Sequence, residues 1–284
     1  MNRIRSRKLA TKSSPLGAKP QSDSSSGISA ALIVRTTADE SPHALFAPLH
    51  YERNYAYPLI VWLHGRSDDE TQLKRVMPLV SLRNYVAIAP RGTAPSSVRF
   101  PATETSHADD EQSPSQAAVL PRFEWRQSES HIHLAEQRVL ECLAAARSRF
   151  HVATDRVFLA GYDCGGTMAL RLALREPRRF AGVLSLGGRF PVGHAPLARL
   201  AEARHLSIWL ACTRASQHYP SEAVCDDLRL IHSAGLSVML REYPGADGLP
   251  PQMLSDMDRW LMEQITGAGV SAVAPSAVSH PGSQ

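Results

Sequence analysis

The 284 residues hold only four cysteines, Cys142, Cys164, Cys212 and Cys225, spread far apart and never in CxxC spacing. That scarcity excludes a disulfide-framed scaffold and the common structural zinc sites. The thiols sit in segments that read as core helices and strands, so they are expected to be buried and reduced, as in a cytoplasmic protein. No apolar run reaches the roughly 18 residues of a membrane span, and no apolar core of a secretory signal is present. Acidic residues are missing from the first 20 positions, which carry Arg3, Arg5, Arg7, Lys8, Lys12 and Lys19. Removing these six cations from the formal net charge of +4 leaves about −2 for the remainder. The basic character therefore belongs to a tail and not to a folded face, and nucleic acid is not an expected partner.

What the sequence does contain is an ordinary balance of 43% hydrophobic and 20% charged residues, in a length suited to one large α/β domain. Residues 1–28 are rich in Ser, Pro and Gly and poor in apolar side chains, so burial cannot offset the entropy of ordering them, and disorder is expected. The same holds for the low-complexity stretch 266–284, which leaves 29–265 as the folded domain. Within it, short apolar runs alternate with amphipathic ones, the pattern of strands and crossover helices in a mostly parallel sheet with helices on both faces. Strands are expected near 31–34, 59–63, 85–89, 156–160, 182–186, 207–211 and 237–243. Helices are expected over 71–81, 131–150, 165–175, 221–234 and 250–264. The clearest is 131–150, where Ile132, Ala135, Val139, Leu140, Leu143, Ala146 and Phe150 recur along one face. Residues from about Thr93 to Pro121 have no periodicity and read as a long loop.

One segment carries chemistry. LAGYDCGGTMALRLAL, from Leu159, passes from a buried strand through a Gly-rich turn into a helix, the setting of a G-x-S-x-G nucleophile elbow. Gly161 and Gly165, with Gly166 following, flank position 163 because side chains there would collide in so tight a turn. Asp163 occupies the centre, at a helix N-terminus where free N–H groups and the macrodipole favour an anion.

With PLIVWLHG (58–65), VAIAPRG (86–92), the block 155–191 and YPGADGLPPQMLSDMDRWL (243–261), the chain resembles the phospholipase/carboxylesterase family, which also holds acyl-protein thioesterases and dienelactone-hydrolase-like enzymes. The resemblance runs from about Ala44 to Gln264 and implies an α/β-hydrolase fold. It also implies an oxyanion loop at His64-Gly65-Arg66, with the backbone N–H groups of Arg66 and Cys164 facing the site. His64-Gly65 alone is equally consistent with a tight turn after a strand.

Carried over one position at a time, the family triad is absent. Asp163 stands for the serine. Ser216, four before Pro220, stands for the acid, and Asp247, in GADGLPP, stands for the histidine. Serine-hydrolase chemistry needs a hydroxyl, an imidazole to take its proton and a carboxylate to orient the imidazole. None is in its place, and Asp247 next to Asp163 would repel it. The expected product of these changes is a pseudo-hydrolase, a pseudoenzyme that keeps a pocket for a small acyl- or ester-like ligand or a protein partner.

The alternative is a hydrolase with a rearranged site. Asp163 would be the nucleophile, as in epoxide hydrolases and haloalkane dehalogenases, with His218 on the Ser216 loop as substitute base. A surface-loop histidine is the plainer reading of His218. Cys164 as nucleophile would place Tyr162 where the turn demands glycine. His131 and His133 lack a third ligand, so no metal is expected, and the fold calls for no cofactor. Asp109, Asp110 and Glu111 read as solvated loop charge, and Arg175, Arg178 and Arg179 as cations at a helix C-terminus.

Overall fold

The computed structural model describes residues 42–95 and 122–267. The two terminal tails, the strand expected at 31–34, the acidic cluster Asp109, Asp110 and Glu111 and most of the long loop lie outside the described residues. A seven-stranded sheet is built from β1 (His43–Phe46), β2 (Tyr57–Leu63), β3 (Val86–Pro90), β6 (Val152–Tyr162), β7 (Gly182–Leu186), β8 (Ser207–Thr213) and β9 (Val238–Tyr243), in the order β1-β3-β2-β6-β7-β8-β9. Every neighbouring pair is parallel except β1 with β3. A small antiparallel pair, β4 (Ala94–Pro95) and β5 (Phe123–Glu124), joins the two ends of the segment read as a long loop.

All seven residues of β2 are buried, as a strand covered on both faces requires. Its alternating side chains go to opposite cores. Leu59, Val61 and Leu63 pack with Ile132, Val139 and Leu143 of α2 (Glu129–Arg149) and Met168 and Leu172 of α3 (Cys164–Arg175). Ile60 and Trp62 pack instead with Val76 and Met77 of α1 (Gln72–Val80) and Met257 and Trp260 of α6 (Pro251–Thr266). Each such side chain contributes about 1.5–3 kcal/mol of burial, so a one-residue register slip of β2 would turn both cores inside out.

The remaining elements are α4 (Leu200–Ala203) and α5 (Ser221–Ser233). Two expectations need correction. The short HALF strand, β1, was not foreseen, since four residues carry too little periodicity to be noticed. Nor are all four cysteines buried. Cys225 is exposed and Cys164 half-buried, because α5 turns Val224 and Ile231 inward and the position after Val224 falls about 100° round the helix.

Candidate active site

The parallel strands end at one edge of the sheet, and the turn from β6 into α3 stands there. Asp163 has φ 50° and ψ −122°, a conformation that costs a non-glycine residue about 1–3 kcal/mol. The neighbouring glycines explain how the chain fits. A Cβ on Gly161 would lie 2.5 Å from the Gly165 carbonyl oxygen, and one on Gly165 would overlap the Leu63 and His64 carbonyl oxygens. The Asp163 N–H donates to Leu186 O at 2.8 Å, and Thr167 N–H donates back to Asp163 O at 3.1 Å, so the strained residue is tied to β7 and to the first turn of α3.

The loop after β2 is held from several sides. Gly92 N–H donates to His64 Nε2 at 2.8 Å, which fixes the tautomer, since Nδ1 must then carry the proton that reaches Gly65 O at 2.8 Å. Burial lowers the His64 pKa, so the imidazole is neutral. It is a strut and no base. Gln72 Oε1 receives Gly65 N–H at 3.2 Å and Trp62 Nε1–H at 2.8 Å, and Trp125 Nε1–H donates to His64 O at 3.1 Å. Behind them Arg91 grips Glu70 through two nitrogens.

This bracing aims the Arg66 N–H at the elbow. It donates to Asp163 Oδ2 at 3.3 Å, and the Arg66 guanidinium lies 3.8 Å from the same oxygen. The N–H that the family resemblance assigns to an oxyanion is occupied by the protein's own carboxylate. Cys164, next in the chain, has its thiol pKa pushed up to about 12, first by burial and then by Asp163. Such a thiol is not a nucleophile near neutrality.

Ser216, His218 and Asp247 meet. Asp247 accepts hydrogen bonds from the Ser216 hydroxyl through Oδ1 and from the Gln217 N–H through Oδ2, the latter at 3.0 Å. His218 Nδ1 lies 3.1 Å from Oδ2. Burial works against the Asp247 charge, but the Ser216 hydroxyl, the Gln217 N–H and His218 outweigh it and hold the carboxyl below its usual range. Ser216 Oγ also accepts the Tyr219 N–H at 2.8 Å, closing the loop on itself.

Asp163 and His218 both line a cleft of about 550 Å³ with Arg66, Trp125, Thr167 and Phe190. Both also border the adjoining hollow beside Asp247 and Thr213. Asp247 has no hydrogen bond or ion pair with Asp163; its partners are Ser216, Gln217 and His218. Gln72, Trp125, Gln127, Arg171 and Arg189 shape or brace the site and were not foreseen. Only FEWRQ (123–127), which follows the long segment, hints at some of them. His131 bonds Ser128 at 2.7 Å and His133 lies 3.9 Å from Glu136. Among the described residues no cluster suited to a metal forms. Arg175 pairs with Glu136 and Arg178 with Glu202, contacts the helix-end reading did not include.

The parallel sheet, its helices on both faces and the strand-turn-helix elbow define an α/β-hydrolase fold. The model of the esterase family, described as "Putative esterase", matches residues 36–240, and the chain belongs to that family. No curated protein matches it in sequence. Among solved structures it is similar to the Arabidopsis thaliana SOBER1 L63A protein, at 19% identity and TM-score 0.57, with 74% of this chain and 100% of that one covered. It is also similar to a Mesorhizobium loti carboxylesterase, at 18% identity and TM-score 0.58, covering 82% and 99%. A Bacillus cereus carboxylesterase matches at 16% identity and TM-score 0.56, covering 78% and 93%. No helix among the described residues is long and apolar enough to cross a membrane.

Proposed function

We infer that this esterase-family chain does not hydrolyse esters by serine chemistry, and that its cleft holds a ligand: a small acyl- or ester-like molecule, or a segment of a protein partner. The observation that carries this reading is Asp247. It stands where the family resemblance puts the general base, and its lone pairs are spent on Ser216, Gln217 and His218. A carboxylate so well supplied with donors keeps its charge and is a poor proton acceptor near neutrality. Asp163 offers no hydroxyl proton to abstract, and it fills the oxyanion donor itself. The free cysteines support a reducing compartment such as the cytoplasm. The test is to incubate the purified chain with p-nitrophenyl acyl esters and a fluorophosphonate probe. Hydrolysis stays at background and no residue is labelled; labelling of Ser216 would overturn the assignment of the site.

One contact favours a second reading. With Nδ1 toward Asp247, His218 has Nε2 left for water, in the cleft it shares with Asp163. Asp163 would attack an electrophilic carbon, forming an ester as the halide or alkoxide leaves. His218 would then take a proton from water, and the hydroxide would add to the Asp163 ester carbonyl, whose oxygen lies at the Arg66 N–H. The adduct expels the product alkoxide, which takes the proton from the His218 imidazolium. The Asp163 carboxyl gives its proton to solvent as the carboxylate is regenerated; with an epoxide the alkoxide of the first step takes a proton from solvent. Styrene oxide and 1-bromobutane in H₂¹⁸O test this, because the first turnover would place ¹⁸O in the Asp163 carboxylate. Turnover that disappears in Asp163→Asn would establish this chemistry in place of simple binding.

A further inference from the structure

Arg171, on α3, is only 1% exposed. Its Nε donates to Gln127 Oε1 at 2.6 Å, while its other nitrogens donate to Val192 O at 2.7 Å and Gly193 O at 2.9 Å. All three acceptors are neutral. Burial and the neighbouring Arg175 cation both shift its pKa down. A guanidinium nevertheless keeps its proton in proteins, so a positive charge with no carboxylate partner among the described residues is buried beside the cleft, an arrangement that stability alone disfavours. A neutral donor would have held the 192–193 loop as well.

Gln127 connects this charge to the cleft, which it lines. The guanidinium claims its amide oxygen, which fixes the amide orientation, since the flipped form would set N–H against N–H. The Nε2 group is then left with its donors unspent, out of solvent and without a partner among the described residues. The nearby acids do not neutralise this end of the cleft. Asp163 is engaged by Arg66 and Asp226 by Arg229, while Asp227 accepts the Phe190 N–H and feels the charge of Arg189. Arg189, exposed at the rim, donates to His218 O and offsets Asp227. Trp125, Phe190 and Val192 supply apolar wall.

We propose that the Gln127 end of the cleft is a subsite for the carboxylate of a small organic acid, with Gln127 Nε2 as the donor and Arg171 as the positioning residue behind it. The acid's carbon skeleton lies against Trp125 and Phe190. This rests on the reading of the cleft as a ligand-binding pocket and names the class of ligand.

Titration calorimetry of the full chain with benzoate, benzamide and benzyl alcohol tests it. Benzoate binds at least tenfold more tightly than either neutral analogue. Gln127→Glu reduces benzoate affinity at least tenfold while raising Tm, because the new carboxylate neutralises Arg171. Gln127→Met, which keeps bulk and removes the donors, also loses benzoate affinity, with a lower Tm. If both variants shift Tm but leave the benzoate to benzyl alcohol ratio unchanged, the contact is only structural and the proposal falls. Equal binding of all three compounds overturns the carboxylate subsite and leaves the binding pocket standing; binding of none removes both. Turnover of an electrophile through Asp163 would instead refute the non-catalytic reading, without touching a measured benzoate preference.

Discussion

Asp163 adopts a backbone conformation that suits glycine, and the size of that strain can be measured by comparing Asp163→Gly with Asp163→Ala. Both variants lose the carboxylate, and with it the Arg66 contact. That contact is worth at most about 1 kcal/mol, because the Arg66 side chain is 48% exposed. Both also lose the same interaction with the α3 macrodipole, and no side-chain cap bond is at stake. They differ in the Cβ. At φ 50° and ψ −122° the alanine keeps a strain of about 1–3 kcal/mol. Glycine is free of it and forfeits roughly 0.5–1 kcal/mol through its more flexible unfolded chain. The glycine variant should therefore be the more stable, by about 1 kcal/mol at the middle of these ranges and at most about 2.5 kcal/mol. For a domain this size 1 kcal/mol is about 2–4 °C in Tm, read by differential scanning calorimetry at pH 7.5. An alanine variant as stable as the glycine one, or more so, would refute the argument that strain is stored at the elbow.

Three further outcomes follow from the same geometry. Gly165→Ala should cost more than about 3 kcal/mol, seen as loss of soluble protein or a Tm fall near 10 °C, because its Cβ would overlap the Leu63 and His64 carbonyl oxygens. His64 is buried and neutral with a pKa lowered from 6.5, so the unfolded chain binds a proton that the folded chain resists. Its contribution is fully present above pH 6.5 and falls as pH drops, by at most about 1.4 kcal/mol per unit; urea midpoints from pH 7.5 to 5 should show the decline, flattened in His64→Asn. Asp247 has the usual sign for a depressed carboxyl: its contribution is present above its unfolded pKa and is lost as pH falls through the lower folded value. Ser216→Ala, which removes one donor, should shrink that acid-side loss in urea midpoints carried on below pH 4.

The elements legible in the sequence were those with strong periodicity. Residues 182–186 read as a continuous apolar run and form β7 with those bounds, and the apolar stripe from Ile132 predicted α2 to within two residues. β1 and the β4–β5 pair escaped because strands of four or two residues owe their existence to the partner they pair with. At the site, the glycine spacing revealed the elbow, since only close backbone approach needs glycine at both 161 and 165. The Ser216, His218 and Asp247 cluster was only half legible. The family resemblance placed Ser216 and Asp247 on their loops, but their contact spans 31 positions and depends on how two turns face each other. Arg171 gave no signal, because a buried arginine paired with neutral groups looks in sequence like any helical surface cation.

The two readings of the cleft differ less than their names suggest, because both depend on Asp163 remaining in a conformation that costs stability. The serine and histidine of the family's chemistry are absent here, yet the geometry around the first of those positions is present: a side chain held at the mouth of α3, facing a braced amide. A scaffold kept only for its shape gains nothing from that strain, and glycine at 163 would relieve it at once. The carboxylate is therefore the group this site is built around. In one reading, Asp163 neutralises Arg66, leaving the buried charge behind Gln127 to attract an organic acid. In the other, it is the nucleophile, and its oxygen on the Arg66 N–H is where the covalent intermediate's charge would collect. Benzoate binding and ¹⁸O incorporation probe opposite ends of the same 550 Å³ cleft, so each reading can fail without the other.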